Sequence, residues 1–156
     1  MPNYRRVYLE NAYYFFTVAL QDRKSTLLID RIDLLRQSYQ KVCQKYPFKT
    51  IAICILPDHI HAIWQLPEGD TNYSLRWQLI KKYFSSKLPI SNTRSESKIK
   101  HREKGIWQRR FWEHTIVDDR DLNNCIDYIH YNPVRHGYVE RCEDWKYSSI
   151  HKIKDT

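Results

Sequence analysis

Residues 49–66, "KTIAICILPDHIHAIWQL", restrict the possible folds of this chain more than any other stretch. Residues 49–56 are β-branched and apolar on both sides of a two-residue alternation, which predicts a central strand. Pro57 has no N–H to give a ladder and breaks that run, so "HIHAIWQL" begins a second, neighbouring strand. On this strand Ile60, Ala62, Trp64 and Leu66 point one way, and His59, His61, Ile63 and Gln65 the other. The wholly apolar set must face packed helices. Both imidazoles then leave the opposite face together, roughly 6 to 7 Å apart at their Cα atoms for a rise of about 3.3 Å per residue.

The flanking segments fit an α+β layer around this pair. "YYFFTVAL" at 13–20 reads as a strand. A helix is predicted over 30–46 from Ile32, Leu35, Tyr39, Val42 and Tyr46, stopped by Pro47. A second covers 73–88, with Ser74 as its cap and Leu75, Leu79, Ile80, Phe84 and Leu88 as its buried stripe. "WQRRFWEHTIV" reads as a fourth strand, and 119–133 as a helix ended by Pro133. The tail from about 134 to 156 looks irregular, and 89–105 reads as a basic loop. Strand, helix, strand, strand, helix, strand, helix is the order of a ferredoxin-like antiparallel sheet with helices packed on one face and the other open.

Composition narrows the class. With 156 residues, 42% hydrophobic, five Trp and only three Gly, one folded domain over 1–156 is expected, without low-complexity character. No 18-residue apolar run exists to span a membrane, and no secretory leader is recognisable. Cys43, Cys54, Cys125 and Cys142 form no CxxC pair and are read as reduced residues of a cytoplasmic protein. The 26 Lys and Arg against 18 Asp and Glu give a formal charge of +8, which favours a polyanionic partner.

Two neutral imidazoles at this spacing can share a divalent ion and leave positions open for water and a phosphate oxygen. An isolated pair is equally explained by local hydrogen bonding, so a third group is needed. On the helix at 121–132, an advance of about 100° per residue gathers Leu122, Cys125, Ile126 and Ile129 into the buried stripe. Tyr128 and Asn132 lie along one border of it, whereas Tyr131 points away. There a phenol and an amide can approach the histidine strand. Periodicity alone also accommodates Tyr128 as an ordinary boundary residue and Asn132 as a cap before Pro133.

"DHIHAIW" resembles the HUH motif of histidine, hydrophobic, histidine, and "YIHYNPVRHGYV" resembles the catalytic-helix motif of the REP-associated tyrosine transposases. "YRR" at 4–6, "LPEGD" at 66–70, "GIWQRRFWEH" at 105–114 and "DWKYSS" at 144–149 are similar to the same family, so the resemblance spans nearly the whole chain. It implies an HUH-type nuclease in which His59, His61 and Asn132 bind Mg²⁺ or Mn²⁺ and Tyr128 is the nucleophile. It implies cleavage of single-stranded DNA beside palindromic hairpins, with a 5′ phosphate joined to tyrosine and a free 3′ hydroxyl. It also implies a bacterial protein that meets the nucleoid when bound to DNA, acting as a monomer or, as in its insertion-sequence cousins, a homodimer.

The chemistry is consistent. A hard divalent cation neutralises charge on the non-bridging oxygens of a phosphodiester, and a phenol leaves more readily than a sugar alkoxide, so the free 3′ hydroxyl can reverse the attachment without ATP. For DNA binding, Lys98, Lys100, Arg102, Lys104, Arg109 and Arg110 suit phosphate contacts, and by resemblance Arg5 and Arg6 help read bases next to the hairpin. A basic loop that only aids solubility is the plain alternative. Trp107, Phe111 and Trp112 read as core or boundary packing, with room for one of them to stack on a base. His114 is a weak candidate for the site, and His101, His130, His136 and His151 receive no role. The competing function is a non-catalytic DNA hairpin-binding protein of the same fold.

Overall fold

The computed structural model describes residues 12–89 and 105–154. Strands β1 (Tyr13–Ala19), β2 (Lys49–Ile55), β3 (His59–Gln65) and β4 (Trp112–Thr115) form one antiparallel sheet in the order β2-β3-β1-β4. That order is the split βαβ arrangement expected from the element sequence. The helices are α1 (Leu27–Asp30), α2 (Ile32–Lys45), α3 (Tyr73–Ser86), α4 (Asp119–Arg135) and α5 (Ile150–Lys154).

On one face of the sheet Phe16, Val18, Ile60, Ala62 and Trp64 pack against Leu35 and Val42 of α2 and Trp77, Ile80 and Phe84 of α3. Trp64 lies in the middle of this core, stacked between Phe48 at 4.0 Å and Trp77 at 4.3 Å between ring centroids. Its Nε1 donates to Tyr39 Oη at 2.8 Å, so the one polar atom of this buried indole is satisfied. The cap of α3 is Asn72, whose side chain accepts from Leu75 N at 3.1 Å, and not Ser74. The buried face also differs from the expected stripe: Tyr73, Arg76 and Trp77 are buried with Ile80 and Phe84, while Leu75 and Leu79 are half-buried. Arg76 is tolerated inside because its guanidinium clasps both Asp70 carboxylate oxygens and the carbonyls of Tyr46, Pro47 and Asn72.

The second face is not open. There Phe15, Ala52, Cys54, Leu56, Ile63 and Ile116 pack against Ile129 of α4, with Leu122, Cys125, Ile126 and Trp145 around them. The fold class is as read from the sequence, but its helices divide between the two faces. Nor is β2 central. It is an edge strand in the ladder order, and the tail closes its free side: Tyr147 O accepts from Ile55 N at 2.9 Å and Ile53 O from Ser149 N at 2.8 Å. Trp145 Nε1 donates to Ile55 O at 2.9 Å. A strand apolar on both faces reads as central, and here the covering is supplied by a segment with no strand pattern of its own.

The tail is therefore more ordered than expected, with a 3₁₀ turn at Cys142–Asp144 before α5. Pro133 lies inside α4 rather than ending it. It deletes one N–H near the helix end, and the last turn is closed instead by His136 N to Asn132 O at 3.0 Å and Tyr138 N to Pro133 O at 2.9 Å. Gly137, at φ 79°, makes the left-handed turn that lets the chain leave.

Candidate functional site

The two-residue alternation of β3 sends His59 and His61 toward α4 while Ile60 and Ala62 enter the α2–α3 core. Both histidines are only 3% exposed, and their rings meet edge to face at 4.7 Å between centroids. From α4, the Tyr128 ring stands edge-on to His61 at 5.4 Å and to Phe15 at 5.9 Å. Asn132, one turn further on, is fully buried. Sheet and helix thus bring the histidines and the tyrosine together within a single chain.

Neighbouring groups fix the imidazoles. Asp58 Oδ1 lies 2.8 Å from His59 Nδ1, and Arg23 Nε donates to Asp58 Oδ2 at 2.6 Å. Burial raises the Asp58 carboxyl, but hydrogen bonds from Arg23 and His59 outweigh it and hold the group below the usual carboxylate range. A carboxylate accepts only, so Nδ1 of His59 carries the proton and Nε2 keeps its lone pair. His61 Nδ1 lies 2.9 Å from Thr17 Oγ1, its register partner on β1. His61 Nε2 and both polar atoms of the Asn132 amide, which lie close to each other, are buried without a well-formed hydrogen bond among the described residues. Three such polar atoms at one place fit a group that the described residues do not supply.

Burial, and secondarily the charges of His59 and His136, push the His61 imidazole down to about 3. His59 is also lowered, by burial first, with Asp58 opposing. Both rings are neutral in the folded protein near pH 7, the form that binds metal. Because unfolding returns them toward 6.5, the unfolded chain takes up protons that the folded chain refuses between pH 6.5 and about 3. This stability is complete above pH 6.5 and lost on acidification through that window, with a slope of at most about 1.4 kcal/mol per pH unit for each proton. Thermal melts in chelator from pH 7 to pH 4 should show the descent, and His61→Gln should make it shallower.

Tyr128 is 39% exposed, and its hydroxyl accepts from Arg135 at 2.9 Å while the guanidinium sits 5.4 Å from the ring centroid. His136, given no role from the sequence, packs on His59 at 5.2 Å. Asp58, Arg23, Thr17 and Arg135 were likewise not foreseen, although Asp58 directly precedes the histidine pair and Arg135 follows Asn132 by three residues. His114 lies on the same face but β1 stands between β4 and β3. Its Nε2 is 2.8 Å from Asp121 Oδ2, which also accepts from Val117 N at 3.0 Å, so this network closes the first turn of α4. With Cys125 Sγ, these ligand-type atoms lie within 4.8 Å of one another.

Arg109 and Arg110 are exposed just before β4. Lys81 Nζ donates to the backbone carbonyls of Gln108 and Arg109 at 2.9 and 3.2 Å, fixing where that pair begins. Arg5, Arg6, Lys98, Lys100, Arg102 and Lys104 lie outside the described residues. Among the described residues no helix is long and apolar enough to cross a membrane.

A family model described as "Transposase IS200 like" matches residues 8–132. The chain is 54% identical over 153 residues to a Haemophilus influenzae protein provisionally named as a REP-associated tyrosine transposase, covering 97% of this chain and 87% of that one. It is 41% identical over 152 residues to the REP-associated tyrosine transposase of Escherichia coli K12, covering 97% and 84%. A solved structure titled as the REP-associated tyrosine transposase bound to a REP hairpin superposes with a TM-score of 0.84 at 41% identity, covering 97% of this chain and 84% of that one.

Proposed function

This chain belongs to the IS200-like transposase family, and from that membership we propose that it cuts and rejoins single-stranded DNA beside REP-type palindromic hairpins through a covalent 5′-phosphotyrosine on Tyr128. The observation that carries this reading is the placement of the Tyr128 ring 5.4 Å from that of a buried His61 whose Nε2 makes no well-formed hydrogen bond among the described residues. One domain, 1–156, carries the reaction.

His59 and His61, each through Nε2, and Asn132 would hold Mg²⁺ or Mn²⁺, whose charge would offset that of the scissile phosphate and orient it. The chain's own groups do the rest. Arg135 holds the phenolic oxygen in place through the 2.9 Å hydrogen bond and stabilises the negative charge that gathers there as its proton leaves. Tyr128 Oη attacks phosphorus, the Tyr–O–P bond forms, the P–O3′ bond breaks, and the departing 3′ oxygen takes up a proton. Return attack by that hydroxyl regenerates the phenol and restores the phosphodiester. Asp58, clamped by Arg23, keeps the His59 ring in the tautomer that presents Nε2.

That histidines and tyrosine meet within one chain supports action in cis. Incubating the protein with a single-stranded hairpin oligonucleotide and Mn²⁺, followed by mass spectrometry of the digested adduct, should locate a nucleotide on Tyr128. Mixing Tyr128→Phe with His61→Ala should not restore attachment. Recovery in the mixture would show that the tyrosine is donated between subunits, and an adduct on another residue would displace Tyr128 from its role.

A further inference from the structure

Between β4 and α4 runs a cavity of about 420 Å³ lined by Phe15, Trp112, His114, Asn124, Cys125 and Tyr128, among others, and no step of the reaction uses it. The geometry points to this groove as the seat of an unpaired nucleobase next to the scissile phosphate, stacked on Trp112. The inference rests on the strand-transfer reading and adds to it a position at which the substrate's bases are held.

Of the three aromatic residues in "WQRRFW", Trp107 and Phe111 are buried at 6% and 9% exposure, and only Trp112 is presented, at 46%. Its indole is not a loose surface ring. It lies over the His114 ring at 6.0 Å with 17° between planes, and the Phe15 ring meets it edge-on at 5.8 Å. His114 is in turn held by Asp121 at 2.8 Å. A flat, exposed and prepositioned aromatic surface loses little freedom on stacking. Tyr128 belongs both to this groove and to the histidine site, so a phosphate bonded to its hydroxyl delivers the attached nucleotide, one sugar away, to the groove mouth. The wall is mostly apolar, which suits a base and not a phosphate. Asn124, four residues before Tyr128 and therefore on the same side of α4, supplies an amide able to pair with a base edge.

The test uses the full chain and a hairpin oligonucleotide with single-stranded flanks, in which one base at a time is replaced by an abasic sugar. Binding is read by fluorescence anisotropy, separately from adduct formation. Removing the seated base should weaken wild-type binding by about 5- to 150-fold, the range spanned by base–aromatic stacking. Trp112→Ala should show a similar loss on intact DNA and almost none beyond it on that abasic DNA, and Trp112→Phe should recover most of the affinity. If the Trp112→Ala and abasic losses multiply at every position, or if Trp112→Ala converts a dimer to a monomer in gel filtration, the groove does not hold a base. Absence of any tyrosine adduct would overturn the transfer reading while leaving this base dependence legible.

Discussion

Tyr128→Phe should reduce covalent attachment to a hairpin oligonucleotide to background while leaving affinity for that DNA unchanged. The substitution removes one oxygen. The ring keeps its edge contacts with His61 and Phe15, and at 39% exposure the change in stability should stay within about 0.5 kcal/mol. Arg135 loses an acceptor but stays in water, where it is rehydrated. Loss of attachment with retained binding therefore isolates the nucleophile from the fold. A labelled oligonucleotide run on a denaturing gel reads it directly. Continued attachment would direct attention to Tyr131 or Tyr138, both exposed near the same helix end.

His61→Ala should abolish attachment as completely, and for a different reason. Of the three proposed ligands, only one imidazole and an amide would then remain, too few to hold a divalent ion against water. Excess chelator should have the same effect on the wild-type protein, and added Mn²⁺ should reverse it. The truncation also removes the 2.9 Å partner of the half-buried Thr17 Oγ1 and empties space among buried side chains, so His61→Gln is the companion variant that keeps most of the volume. Asp58→Asn should be milder: with ligand orientation weakened but no ligand lost, Mn²⁺ affinity by calorimetry should fall about 10- to 100-fold. Attachment by His61→Ala in the presence of chelator would remove metal from the account.

The histidine face is legible in advance because strand alternation is local: once residue 60 faces α2 and α3, 59 and 61 must share the opposite face. The spacing of Tyr128 and Asn132 along one border of α4 was legible for the same kind of reason. What periodicity does not specify is the surface against which a stripe is buried, so it does not reveal that α4 covers the face opposite α2 and α3. That choice depends on long-range packing of the kind that gathers Ile63 and Ile129 into one cluster, which leaves no trace in either segment alone. The groups that hold the site, Asp58, Arg23, Thr17 and Arg135, were missed because ordinary polar residues become orienting partners only when distant elements meet. Pro133 predicts a stop because its missing N–H breaks a helix interior, yet near the last turn that donor is dispensable.

The tail laid along β2 has a bearing on how the protein comes into being. During synthesis β1, β2 and β3 emerge long before residues 147–149, so until then the nascent sheet carries a strand margin that any other polypeptide can template onto. His130 of α4 is joined to Ser149 at 2.9 Å, and so the same late residues that seal this margin also brace the helix carrying Tyr128. One segment thus both blocks strand addition at β2 and steadies α4, so loosening it would disturb the sheet margin and the helix carrying Tyr128 together.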